Sequence, residues 1–136
     1  MTFDKFSFSE KQIKTYYNSA VRDFKIAKNS DIPEVSFRFG YDALIKLAIT
    51  ICAKKGLKIK SRQGHRIELI TKLSEFLKNK EIEILGNEMR TKRNRDLYDG
   101  GTLITTKQSK DYVNWIASVF EQIEKYLNLN NLKLNL

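Results

Sequence analysis

Apolar residues recur at three- and four-residue spacing along nearly the whole chain, and five segments read as helices with no strand-forming run between them. The first opens at Ser9-Glu10-Lys11-Gln12, a capping box in which serine and glutamine exchange hydrogen bonds with each other's backbone. Its stripe is Ile13, Tyr16, Tyr17, Ala20, Phe24 and Ala27, and Asn29-Ser30-Asp31 closes it. Asp31 with Pro33 begins the second, since proline suits a first helical turn. That helix runs to about Lys55, before Gly56. Its apolar residues, Phe37, Tyr41, Leu44, Leu47, Ala48, Ile51 and Cys52 among them, fall on most of its circumference, which predicts a central helix covered on several sides.

A third helix is expected over His65 to Lys78, with Ile67, Ile70, Leu73, Phe76 and Leu77 facing inward, and a fourth over Glu81 to Asp99. The fifth starts near Thr105, where Thr105-Thr106-Lys107-Gln108 repeats the capping-box pattern. It carries Tyr112, Val113, Ile116, Val119, Phe120, Ile123, Tyr126 and Leu127 inward. Residues 128–136 are a low-complexity tail of leucine, asparagine and lysine. Residues 1–136 therefore read as one all-α domain, an up-and-down bundle of four to five helices.

Charge and composition narrow the partners. Lysine and arginine exceed aspartate and glutamate by nine, which favours an anionic partner, nucleic acid first. The basic stretch Lys54 to Arg66 reads as a loop, either a phosphate-contacting patch or a solvated connector. The single cysteine, Cys52, sits in a helix interior and reads as a buried, inert thiol. The longest apolar run, Leu44 to Ala53, is interrupted by Lys46 and falls short of the ~20 residues of a membrane span. No signal pattern opens the chain, and the expected location is cytoplasmic.

The usual catalytic signatures are absent: no phosphate-binding glycine loop, no dinucleotide fingerprint, no Cys/His metal spacing and no nucleophile elbow. No metal site or cofactor is expected. Glu81 and Glu83 are two apart and do not face each other. His65, at a helix start, reads first as a capping or packing residue.

The fourth helix holds the candidate chemistry. At roughly 100° per residue, Ile82, Leu85, Met89 and Leu97 form one apolar stripe, and Arg93 falls inside it. A guanidinium is always charged and costly to bury without a partner. Gly86 lies on nearly the same line, where a missing side chain permits close approach of another helix. These positions predict a polar site in a helix–helix seam, with Arg90, Asn94 and Tyr98 within reach. A twofold dimer through this helix would bring two such arginines together, a pairing that a phosphate satisfies.

The residues also resemble a family. Tyr16-Tyr17-Asn18-Ser19-Ala20, Phe37-Arg38-Phe39-Gly40-Tyr41-Asp42-Ala43, Gly56-Leu57-Lys58, Gly64-His65 and Met89 to Asp99 follow one another as in the HEPN superfamily of small prokaryotic helical domains. The resemblance spans most of the chain. It implies a HEPN-like bundle that dimerises through the motif helix, with RNA as substrate or ligand. Active members are metal-independent endoribonucleases with an Arg-x4-6-His motif, many of them toxins of toxin–antitoxin or phage-defence systems paired with a small nucleotidyltransferase antitoxin. Arg93 matches the motif arginine and Asn94 the polar residue beside it, while Tyr98 stands at the histidine position. The implied site is Arg93, Asn94 and Tyr98, with Arg90, Lys92 and Arg95 on phosphates and His65 as an auxiliary group. The alternative is a non-catalytic interaction or substrate-binding subunit for a small nucleotidyltransferase.

Overall fold

In the computed structural model, residues 3–60, 65–98 and 104–129 are described, with the side chains of all but 96–98 and 129. Five helices make up most of the described chain: α1 (Glu10–Asn29), α2 (Pro33–Lys54), α3 (His65–Leu77), α4 (Lys80–Tyr98) and α5 (Thr106–Leu129). Both capping boxes form. Ser9 Oγ accepts from the Gln12 N–H at 3.1 Å and Gln12 Oε1 from the Ser9 N–H at 2.9 Å. The Thr105–Gln108 pair repeats this at 3.0 Å in both directions. The start of α2 differs from expectation. Its N-cap is Ile32, with no side-chain cap, and Asp31 plays no capping part. Ser30 organises the turn instead, accepting from the Ile32 N–H, while the Ser36 hydroxyl donates to the Ser30 carbonyl.

Two short strands correct the expectation of a purely helical chain. β1 (Phe3–Lys5) and β2 (Leu57–Ile59) pair antiparallel, with Phe3 opposite Ile59 and Lys5 opposite Leu57. Part of the basic stretch after α2 is therefore strand and not loop. Three residues per strand give too little periodicity to read from sequence, and their partners are about fifty positions apart. Gly56 makes the turn possible. Its φ of 73° suits glycine, and a Cβ there would come within 3.2 Å of the Phe6 carbonyl oxygen.

α2 is the central helix, packing against all four others and β2. Tyr41, Leu44, Leu47, Ala48 and Ile51 are fully buried along it. α3 and α4 join through Lys78 and Asn79. Lys78 adopts a left-handed φ of 51°, and the Asn79 N–H reaches back to the Ser74 carbonyl at 3.0 Å, so the turn absorbs carbonyls that α3 leaves unpaired. Asn79 then caps α4 by accepting from the Glu81 N–H and ties it to α5 through Gln122. Ile67 is 42% exposed, contrary to its inward assignment, and Leu69 takes the buried position beside Ile70 and Leu73. α5 continues past Asn128 to Leu129; the remaining tail, residues 130–136, and Asp99, the expected end of the fourth helix, lie outside the described residues.

Ile82 and Met89 are fully buried, and a Cβ on Gly86 would meet Ile70 Cγ2 at 2.8 Å and Leu44 Cδ2 at 3.5 Å. The close approach expected at Gly86 is thus made to α3 and α2 of the same chain. That contact sets the upper part of α4, including Arg93, against α2.

Candidate functional site

Asp23, Tyr41, Asp42, Lys46, Arg66, Arg90 and Arg93 bring polar chemistry from four helices into one electrostatically connected group. It begins in α1. The Asp23 side chain is 2% exposed, and a buried carboxylate requires a cation. Lys46 Nζ supplies it at 2.6 Å from across the α1–α2 interface, and Arg22 adds a longer contact at 3.3 Å from an exposed position.

One helical step away on α2 lie Tyr41 and Asp42. Tyr41 is fully buried, and its hydroxyl has no hydrogen-bond partner among the described residues. Burial pushes its pKa up, while Arg66, Arg90 and Arg93 all oppose that shift. Arg66 lies over the tyrosine ring with its guanidinium carbon 5.7 Å from the centroid. It favours the phenolate from there without the alignment that a hydrogen bond needs. Burial likewise raises the Asp42 carboxyl above the ordinary aspartate value. Arg93 is the strongest opposing influence, Asp23 adds to the rise, and Arg66 and Lys46 oppose it more weakly.

Arg93 is half-buried, as its place in the apolar stripe predicts, and its Nε is buried with no hydrogen-bond partner among the described residues. Arg90, one turn earlier and half-buried, donates from Nε to Asn87 Oδ1 at 3.2 Å. The charges of three guanidiniums therefore favour ionisation of one buried hydroxyl, and Arg93 is the cation that most favours ionisation of Asp42. Such a group holds four cations to two carboxylates, and bidentate donors of this kind match phosphate oxygens.

The other sequence-predicted positions separate. His65 opens α3 beside Arg66 and is half-buried. Asn94 and Arg95 are exposed, and the side chains of Leu97 and Tyr98 lie outside the described residues. Lys92 turns to a different groove, between α4 and α5, which it lines with Glu88, Asp111, Tyr112 and Trp115. The Tyr112 hydroxyl donates to Glu88 there, and Trp115 Nε1 to Glu81 at 2.8 Å.

Tyr41 and Asp42 carry no functional assignment from the sequence alone, and Arg66 only that of the last residue in the basic stretch read as a phosphate-contacting patch or a solvated connector. A signal exists for Asp42. It is a carboxylate in a helix whose circumference is mostly apolar, and such a group demands a cation. Tyr41 reads as core in any periodicity, and only the fold brings Arg66 to it. Cys52 is 1% exposed, and burial pushes its thiol up to about 12, as an inert thiol requires. Among the described residues no helix is long and apolar enough to cross a membrane.

Comparison with protein-family models, curated proteins and solved structures finds no match for this chain.

Proposed function

We propose that this protein is an RNA-directed helical bundle in which Arg93, Arg66 and Arg90 hold a phosphate of the nucleic acid beside Tyr41 and Asp42. The observation that carries the reading is a buried Tyr41 hydroxyl and a buried Arg93 Nε, neither with a hydrogen-bond partner among the described residues, with Arg66 over the Tyr41 ring and Arg90 one turn before Arg93. Burying arginine in this way costs stability, and an anion that takes its donors offsets that cost. The excess of nine positive charges adds the long-range attraction that gathers a polyanion. The HEPN resemblance supports the same ligand class.

The site also has parts for cleavage at a ribose 2′-hydroxyl. In that step O2′ attacks the adjacent phosphorus, the bond from phosphorus to O5′ breaks, and a cyclic phosphate remains. Arg93 stabilises the charge gathering on the phosphoryl oxygens. Asp42, with its carboxyl raised by burial, takes the 2′ proton. Tyr98, at the motif's histidine position, or His65 returns a proton to the leaving O5′. Asn94 contributes as the polar neighbour of Arg93, and Arg95 meets flanking phosphates from its exposed position. A dimer through α4 uses the face where Ile84 is 62% exposed, because Ile82, Gly86 and Met89 are already packed within the chain.

Incubating the purified chain with tRNA and mRNA, beside Arg93→Ala and Asp42→Asn, tests the reading. The expected result is salt-sensitive binding lost in Arg93→Ala, with cyclic-phosphate products formed by wild type and lost in Asp42→Asn, which still binds. Binding without products confines the role to recognition. Neither cleavage nor salt-sensitive binding removes the reading, and co-purification with a small nucleotidyltransferase would then favour the non-catalytic partner role.

A further inference from the structure

A second feature lies away from the arginine group, where β1 and the start of β2 meet the end of α2. Phe6 is 42% exposed and stands outside the core, its ring resting on Phe8, which does join the core, with 4.7 Å between the centroids. Its backbone N–H is fixed to the Gly56 carbonyl at 2.9 Å, so the ring is held at a set position and not on a loose end. Lys5, Phe6, Ser7, Lys54, Lys55 and Gly56 line an open groove that contains no carboxylate. Lys58 stands beside it, with Nζ 4.9 Å from the Phe6 ring centroid.

Part of this charge has a structural account. Lys54 lies in the last turn of α2 and Lys55 is its C-cap, where cations complement the carbonyl end of the helix. Lys55 also rests on the Phe76 and Tyr126 rings, at 5.6 and 5.2 Å. Asp4, opposite Lys58 in the ribbon, is the nearby carboxylate, and it contacts Lys60 at 3.3 Å. The Phe8 contact explains part of the ring's placement, and none of this accounts for the ring area left exposed among Lys5, Lys54 and Lys58.

We infer that this ribbon surface is a stacking site for single-stranded RNA, with a base on Phe6 and the flanking phosphates on Lys5, Lys54 and Lys58. Positive grooves combined with aromatic faces are how single strands are held without sequence readout. The Lys58–Phe6 contact is compatible with such a ligand. Base–aromatic stacking is stronger than a surface cation–π contact, so a base displaces the ammonium from the ring, and the freed ammonium meets the neighbouring phosphate. Charge selects the polyanion, and the ring selects one that carries bases. The inference rests on RNA being the partner proposed above, and it adds a second contact to the strand.

Anisotropy titration with a fluorescent single-stranded oligouridylate, beside inorganic polyphosphate as a base-free polyanion, tests it. Phe6→Ala is expected to weaken oligouridylate binding about tenfold and to leave polyphosphate binding unchanged. Lys58→Gln is expected to weaken both. The phenylalanine lies outside the core, and circular dichroism confirms that each variant is folded. Equal binding of oligouridylate by Phe6→Ala and wild type overturns the inference, as does an equal loss for both polyanions. Phe6-dependent binding to anionic phospholipid vesicles with unchanged oligouridylate affinity also overturns it, in favour of a lipid surface. Loss in Arg93→Met with none in Phe6→Ala contradicts this surface alone, whereas the reverse contradicts the arginine site alone.

Discussion

Individual residues in this bundle show where stability yields to packing or charge. Gly86 lets α4 lie on α3, since an added Cβ would meet Ile70 Cγ2 at 2.8 Å. Ile70 is fully buried and β-branched, so it has little room to yield. Gly86→Ala gains about 1 kcal/mol of helix propensity but meets an overpacking cost of roughly 1–3 kcal/mol. The clash is expected to prevail, lowering the melting temperature by a few degrees; a rise would show that the α3–α4 contact is loose. Asp42 has a pH signature. Burial raises its folded pKa above 3.8, so the folded chain binds this proton more tightly than the unfolded one. Its penalty is full above the raised value and fades as pH falls toward 3.8. Wild type should therefore gain stability relative to Asp42→Asn on acidification, in melts recorded across that window; a constant difference would contradict a raised Asp42. Cys52, fully enclosed with its thiol pushed up to about 12, should resist alkylation at neutral pH until the chain unfolds. Labelling of the native protein would contradict this.

At the scale of elements, the turn between α3 and α4 sets the direction of the helix that carries Arg93. Lys78 adopts a left-handed φ of 51° there, a conformation glycine enters without a Cβ penalty. Lys78→Gly should stabilise the fold by about 0.5 kcal/mol, the steric gain exceeding the extra unfolded-state entropy of glycine. Chemical denaturation measures it, and destabilisation would mean the lysine side chain holds the turn. The helices themselves are legible in sequence because their stripes run for three or more turns and two carry capping boxes. Arg93 and Gly86 were legible as exceptions within one stripe. The strands were not, being three residues long and paired across about fifty positions. Nor was Ile67, because a short helix offers several apolar faces and only packing chooses Leu69. The joining of Tyr41 and Asp42 to Arg66 was hidden for a related reason: it depends on how α2, α3 and α4 cross, which no local pattern encodes.

For the whole molecule, a positive excess of nine attracts polyanions in general, and under the proposed function the arginine group supplies the local selectivity. The two contributions respond differently to salt and to substitution. Removing one exposed lysine should shift affinity modestly and reduce its salt slope. Removing Arg93 removes donors from inside the helix seam and leaves the long-range field nearly intact. Arg93→Met keeps the length and apolar contacts of the side chain without its charge. The most direct measurement is RNA binding by Arg93→Met and wild type in parallel, with a thermal melt of each. The account predicts at least a tenfold loss of affinity, in line with a lost charged hydrogen-bond pair of about 1.5–3 kcal/mol, and a melting temperature within a few degrees of wild type. Unchanged affinity in the folded variant would contradict it, and so would collapse of the fold, which would make Arg93 a structural residue.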